Sequence, residues 1–197
     1  SRKLGFDPDG KFPFVPNGAS IDVFRLDQGT GVPISPPASI PLPVGALVDV
    51  AAEPSGRFAY VSTGSNPGTL LAFSIDQTTG ALTSIGSVPS GNTPFGMAID
   101  PTGRFVYVAN RNSHNVSAYA INPRTGALTA VPGQPFSVGA TTPNSVTVDR
   151  TGRFAYTANQ GDSTISILTI DQTTGALALQ TAHAVGASGP QFFALTK

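Results

Sequence analysis

Arg111 and His114 lie three residues apart in one polar segment, Asn110-Arg111-Asn112-Ser113-His114-Asn115. A planar guanidinium suits a carboxylate, a phosphate or a developing oxyanion. An imidazole can take or give a proton near neutral pH. Asp162, in the segment Asn159-Gln160-Gly161-Asp162, could orient that imidazole or act as a base itself. Together the three would suit acid–base chemistry beside an anionic group. Asn110, Asn159, Gln160 and Asn17 add polar side chains able to hold substrate hydroxyls. The same residues also fit solvated loops, because so few groups do not by themselves make a catalytic constellation. The other histidine, His183, reads as a surface or sheet-edge residue.

Such side chains need a frame, and the frame is a repeat. One motif begins at Asp7 (DPDGKFPFV), Glu53 (EPSGRFAYV), Asp100 (DPTGRFVYV) and Asp149 (DRTGRFAYT), with starts 46, 47 and 49 residues apart. A second follows at Asp27 (DQGTG), Asp76 (DQTTGAL), Asn122 (NPRTGAL) and Asp171 (DQTTGAL). A third precedes the next repeat at Pro94 (PFGMAID), Pro143 (PNSVTVD) and Pro190 (PQFFALT). Each landmark is turn or strand chemistry. In Asp100-Pro101-Thr102-Gly103 the acid caps the turn, Pro sets φ and Gly supplies the positive φ that closes a hairpin. The following run, Arg104 through Ala109, is aromatic and β-branched, and nearly all apolar rather than alternating. That pattern predicts a strand covered on both faces.

Each repeat therefore reads as strands A (95–100), B (104–109), C (116–121) and D (from 127), with no sustained helical period. Four short antiparallel strands in each of several repeats of about 40–50 residues predict an all-β fold, a β-propeller made of four-stranded blades. A β-sandwich with chance spacing is the other option, but it requires no repeated turn chemistry. The blades fall at 3–47, 48–94, 95–143 and 144–190, with an extra strand at 191–196. The A–B and C–D turns are nearly uniform and share one end of the blades. The B–C and D–A loops share the other end and vary, and there function is expected. Arg57, Arg104 and Arg153 recur beside a turn glycine, and Tyr60, Tyr107 and Tyr156 recur in strand B. Recurrence marks both sets as structural: the arginines bond turn carbonyls or stack on aromatics, and the tyrosines fill inter-blade core.

Composition narrows the function classes. Eleven basic and eleven acidic residues cancel, so no basic stripe supports nucleic acid as a partner. The absence of cysteine excludes disulfides, thiolate catalysis and cysteine-bound zinc. Two distant histidines and no dense carboxylate loop predict no metal site, and no phosphate-cradling loop points to a cofactor. No apolar run reaches the length of a membrane span. The weakly charged content, rich in Ser, Thr, Asn, Gln and Gly, suits an extracytoplasmic protein.

The segments RFVYVAN (Arg104 through Asn110), RFAYVST and RFAYTAN, with the DQTTGAL turns, resemble the lactonase family of β-propellers, including 6-phosphogluconolactonase-like and YVTN-repeat proteins. The resemblance covers essentially the whole chain. It implies seven blades, of which four stand here, and hydrolysis of a sugar-type lactone at the varied-loop face. The family pattern Asn-Arg-Gly-His-Asp-Ser-Ile is matched by Asn110, Arg111 and the apolar Val116. Ser113 stands at its histidine position, and His114 falls one place later. The five A-strand segments leave one more than a four-bladed ring needs. A larger propeller, a closed ring with a displaced strand and an open arc meeting a second copy through its terminal blades would each accommodate it. Two functions stay open at this stage. One is a lactone hydrolase. The other is a non-catalytic propeller that binds protein or glycan, or assembles with itself.

Overall fold

The computed structural model describes residues 4–34, 37–42, 47–186 and 189–190. The strands are β1 (Gly5–Phe6), β2 (Pro13–Asn17), β3 (Ser20–Val23), β4 (Ala38–Pro41), β5 (Leu47–Ala52), β6 (Phe58–Thr63), β7 (Thr69–Ile75), β8 (Leu82–Pro89), β9 (Pro94–Ile99), β10 (Phe105–Asn110), β11 (Asn115–Ile121), β12 (Leu128–Ala130), β13 (Phe136–Ser137), β14 (Pro143–Val148), β15 (Phe154–Asn159), β16 (Thr164–Ile170) and β17 (Leu177–Ala184). They form four antiparallel sheets in the orders β1-β2-β3-β4, β5-β6-β7-β8, β9-β10-β11-β12 and β14-β15-β16-β17, with β13 also pairing β11. These are blades 1 to 4, and the described chain is all β. The expected extra strand at 191–196 lies outside the described residues.

Turn chemistry closes each blade at one end. The Asp7, Glu53, Asp100 and Asp149 carboxylates accept the backbone N–H of the returning strand, as in Phe105 N to Asp100 Oδ1 at 2.7 Å and Arg57 N to Glu53 Oε1 at 2.9 Å. At the C–D turns, Asp76 Oδ1 accepts Thr78 N and Thr79 N, each at 2.8 Å, and Asp171 repeats this with Thr173 and Thr174. These bonds hold the Asp76 and Asp171 carboxyls below the ordinary carboxylate range. Blade 3 breaks its outer strand into β12 and β13 because Pro132 and Pro135 fall between them and lack the N–H a ladder needs.

The apolar B strands are continuous because each faces two neighbours. All six residues of β10 are buried. Val106 and Val108 join Phe58, Tyr60, Leu70 and Met97 in the core between blades 2 and 3. Phe105, Tyr107 and Ala109 join Val146, Ala155 and Leu168 between blades 3 and 4. A third core, with Phe12, Phe14, Val61 and Phe73, joins blades 1 and 2. The A strands follow one another, β1 against β5, β5 against β9 and β9 against β14.

Each blade also grips the C–D turn of the next. Tyr60 and Tyr107 donate their hydroxyls to the Gly126 and Gly175 carbonyls at 3.0 and 3.1 Å. Burial pushes both phenols well above their ordinary pKa, helped by the nearby Glu53 and Asp100 charges. Gly80, Gly126 and Gly175 lie so close to the rings of Phe12, Phe58 and Phe105 that an added Cβ would fall 2.4–2.5 Å from a ring carbon. Arg57, Arg104 and Arg153 stack on the phenylalanines that follow them, at 5.1, 5.2 and 5.7 Å. Arg57 also donates to the Pro123 carbonyl of the next blade at 2.7 Å.

Candidate functional site

The B–C and D–A loops meet at the end of the blades opposite these turns. In blades 3 and 4 the B–C loop is fastened to the D–A loop entering its own blade: Arg111 N donates to Thr93 O at 3.0 Å, and Gln160 N to Thr142 O at 2.9 Å. Four loop residues there take left-handed backbone: Thr93 (φ 54°), His114 (56°), Thr142 (56°) and Ser163 (53°). They fall in equivalent pairs on blades 3 and 4, so the conformation belongs to the loop geometry and not to His114 alone.

The seam between blades 3 and 4 gathers most of the expected residues. The Arg111 guanidinium lies 5.6 Å from the Phe95 ring centroid and donates from Nη2 to Gln160 Oε1 at 3.1 Å. The same oxygen accepts Asn144 Nδ2 at 2.8 Å, which fixes the orientation of the Gln160 amide. Arg111 is half-buried, and Asn144 is buried with its Oδ1 unpartnered among the described residues. His114 is exposed and accepts Thr142 N at Nδ1, 2.9 Å away. An acceptor Nδ1 carries no proton, so the neutral ring holds its proton on Nε2. His114 therefore offers an N–H donor at the rim. Asp162 accepts the Thr141 hydroxyl at 2.9 Å and the Thr141 backbone N–H. Asp162 and His114 thus flank one dipeptide, Thr141-Thr142, and the imidazole is oriented by that backbone.

The remaining amides have different settings. Asn110 is fully buried: its Oδ1 accepts Ser90 Oγ (2.9 Å) and Gly91 N (3.1 Å), while Nδ2 donates to Asn115 Oδ1 and Ser117 Oγ, both at 2.8 Å. Asn159 is also fully buried, bonded to Thr157, Thr164 and Ser166. With its donors and acceptors used inside the blade, Asn110 holds the loop from beneath. Asn17 donates to Asp22 at 2.8 Å on blade 1, away from the blade 3–4 seam. His183 pairs with Ile165 on the outer strand β17, exposed, as its sequence position suggested.

Phe95, Asn144, Thr141 and Thr142 are the members that motif reading missed. One signal was available. Phe95 and Asn144 follow the repeated Pro94 and Pro143, and blade 2 has Val48 there, so an amide at Asn144 stands out within the repeat.

A model of the lactonase family, described as a seven-bladed β-propeller, matches residues 1–146 and 135–197. A 6-phosphogluconolactonase of Pectobacterium carotovorum is 31% identical over 134 residues, covering 64% of this chain and 40% of the relative. One from Formosa agariphila is 40% identical over 86 residues, covering 43% of this chain and 24% of the relative. The periplasmic gluconolactonase of Pseudomonas aeruginosa superimposes with a TM-score of 0.78 at 25% identity, over 96% of this chain and 55% of that one. A Lactobacillus plantarum protein superimposes with a TM-score of 0.81 at 22% identity, over 95% of this chain and 56% of that one, and shares the fold. The chain thus spans less than half the length of these two sequence relatives and just over half that of the two structures. The chain belongs to the lactonase family of seven-bladed β-propellers.

Proposed function

We propose that these blades contribute the catalytic face of a sugar-lactone hydrolase, with 6-phosphogluconolactone-type esters as the substrate class. The observation that carries this reading is the Arg111 guanidinium, held across the blade 3–4 seam by Gln160 and stacked on Phe95, next to the His114 donor. A fixed fork of this kind suits a phosphate or an oxyanion. The printed names of the relatives support the same chemistry.

In this reading Arg111 binds the anionic group of the substrate or its developing oxyanion. His114 Nε2–H donates to the lactone carbonyl oxygen. Asp162 takes a proton from water as the water oxygen bonds to the carbonyl carbon. The ring C–O bond then breaks, and its oxygen leaves as the new hydroxyl, carrying a proton returned by the acid form of Asp162. Asn110 and Asn159 act as positioning residues beneath the loops.

The test is the rate of acid release from 6-phosphogluconolactone. Arg111→Ala is expected to lower kcat/KM by roughly 10²-fold, and Asp162→Asn by a similar factor. His114→Ala is expected to lower it about tenfold, for one lost hydrogen bond. Unchanged rates in both Arg111→Ala and His114→Ala would refute the assignment.

A further inference from the structure

The uniform-turn end of the molecule carries a cavity that the lactonase reading does not use. It has a volume of about 390 Å³ and opens between blades 1 and 2. Lys11, Phe12, Arg25, Leu26, Asp27, Gln28 and Ile34 line it from blade 1, and Gln77 and Thr78 from the C–D turn of blade 2. Three departures from the repeat make this space. Lys11 stands where the other blades have Arg57, Arg104 and Arg153. At the next seam Arg57 lies 5.1 Å from the Phe58 ring centroid and spans to the following blade through its bond to the Pro123 carbonyl. The outer strand of blade 1 also starts differently: after the bridge Leu26–Pro33, Ile34 N donates to Arg25 O at 2.8 Å, and the ladder with β3 is described from Ala38 opposite Val23. Ile34 is left 55% exposed on the cavity wall. Finally, Arg25 occupies the position held by Ser74, Ala120 and Thr169 in the other blades.

The cavity therefore combines two cations with an apolar wall. Among the described residues neither Lys11 nor Arg25 has an acidic partner. Asp27, which also lines the cavity, is engaged by Gly29 N, Thr30 N and the Thr30 hydroxyl. The volume falls in the range of small-ligand sites.

We propose that this notch is a second binding site, for a small organic anion: a phosphate or carboxylate group on an apolar body. The anionic group bridges Lys11 and Arg25, and the body rests against Leu26 and Ile34. The inference does not depend on the activity of the opposite face.

Phenyl phosphate titrated at low ionic strength, followed by calorimetry, tests it. Benzoate in parallel separates phosphate from carboxylate preference. Arg25→Ser installs the residue that blade 2 already carries as Ser74, and is expected to weaken phenyl phosphate binding about tenfold. Lys11→Arg keeps the charge but restores the side chain that spans the neighbouring seam, and is expected to weaken it comparably. Because Arg111 is itself placed to bind a phosphate, these variants are titrated in the Arg111→Ala background, where binding at the notch is expected to remain. Binding that survives both Arg25→Ser and Lys11→Arg, or that disappears in Arg111→Ala, overturns the proposal. Hydrolysis measured in the same variants reports on the other face separately.

Discussion

Three polar side chains can look alike in a sequence and do different work. Asn110, Gln160 and Asn17 are all loop-flanking amides, yet Asn110 is fully buried with four bonds, Gln160 bridges two blades, and Asn17 is exposed. Removing Asn110 leaves the Gly91 N–H and the Ser90 and Ser117 hydroxyls without their partner. Asn110→Ala is therefore expected to cost about 2–3 kcal/mol in urea unfolding. Asn17→Ala is expected to change stability by less than about 0.5 kcal/mol, as a surface substitution. Arg111 also depends on shape as well as charge, because Gln160 and Phe95 recognise a plane. Lysine there would keep the charge and lose the stacked fork.

At the scale of elements, the unit of construction is a turn of one blade seated on an aromatic ring of the preceding blade. Gly175 has φ 78°, and a Cβ there would meet Phe105 Cδ1 at 2.4 Å. Gly10 has φ 69° with nothing within 4 Å of the same position. Gly10→Ala is thus expected to cost about 1 kcal/mol, from backbone conformation alone. Gly175→Ala adds a clash in a packed seam and is expected to cost about 2–3 kcal/mol more. Paired urea titrations of the two variants check the difference. Equal effects would show that the seam does not press on that turn. In blade 4, Phe154 and Tyr156 are half-buried, whereas their counterparts Phe58, Tyr60, Phe105 and Tyr107 are buried.

Across the whole molecule the repeated turns make a shared response to acid. Backbone N–H groups lower the pKa of Asp27, Asp76 and Asp171. Asp149 is lowered too, with burial opposing and the Thr151 hydroxyl and nearby amides prevailing. A carboxylate lowered in the folded state adds stability that is full above its unfolded value, about 3.9, and lost as pH falls through the lower folded value. The melting temperature is therefore expected to hold near neutrality and fall steadily below about pH 4. Blade 3 already has Asn122 at this turn, accepting Arg124 N at 2.9 Å and Thr125 N at 3.2 Å. The double variant Asp76→Asn with Asp171→Asn should consequently fold and show a flatter acid dependence. A slope identical to that of the parent chain would exclude these turns as its source.

The blades, their turns and their two-faced strands are legible from the amino-acid sequence because each is local chemistry. A turn needs its acid and its positive-φ glycine within a few residues, and a strand sandwiched between sheets is apolar throughout. The recurring arginines and tyrosines were assigned to structural positions for the same reason. The candidate site was legible only as types. That Arg111 meets Gln160, 49 positions away, and that the Thr142 amide sets the proton on His114, follow from how successive sheets stack. Asn110 is buried because β10 is covered on both faces, and its partners Ser90 and Gly91 come from a loop 19–20 residues away that no motif pairs with it. The notch at Lys11 and Arg25 likewise exists only where blade 1 meets the C–D turn of blade 2. Contacts across a seam join residues from different blades, and their geometry is decided only when the sheets have packed.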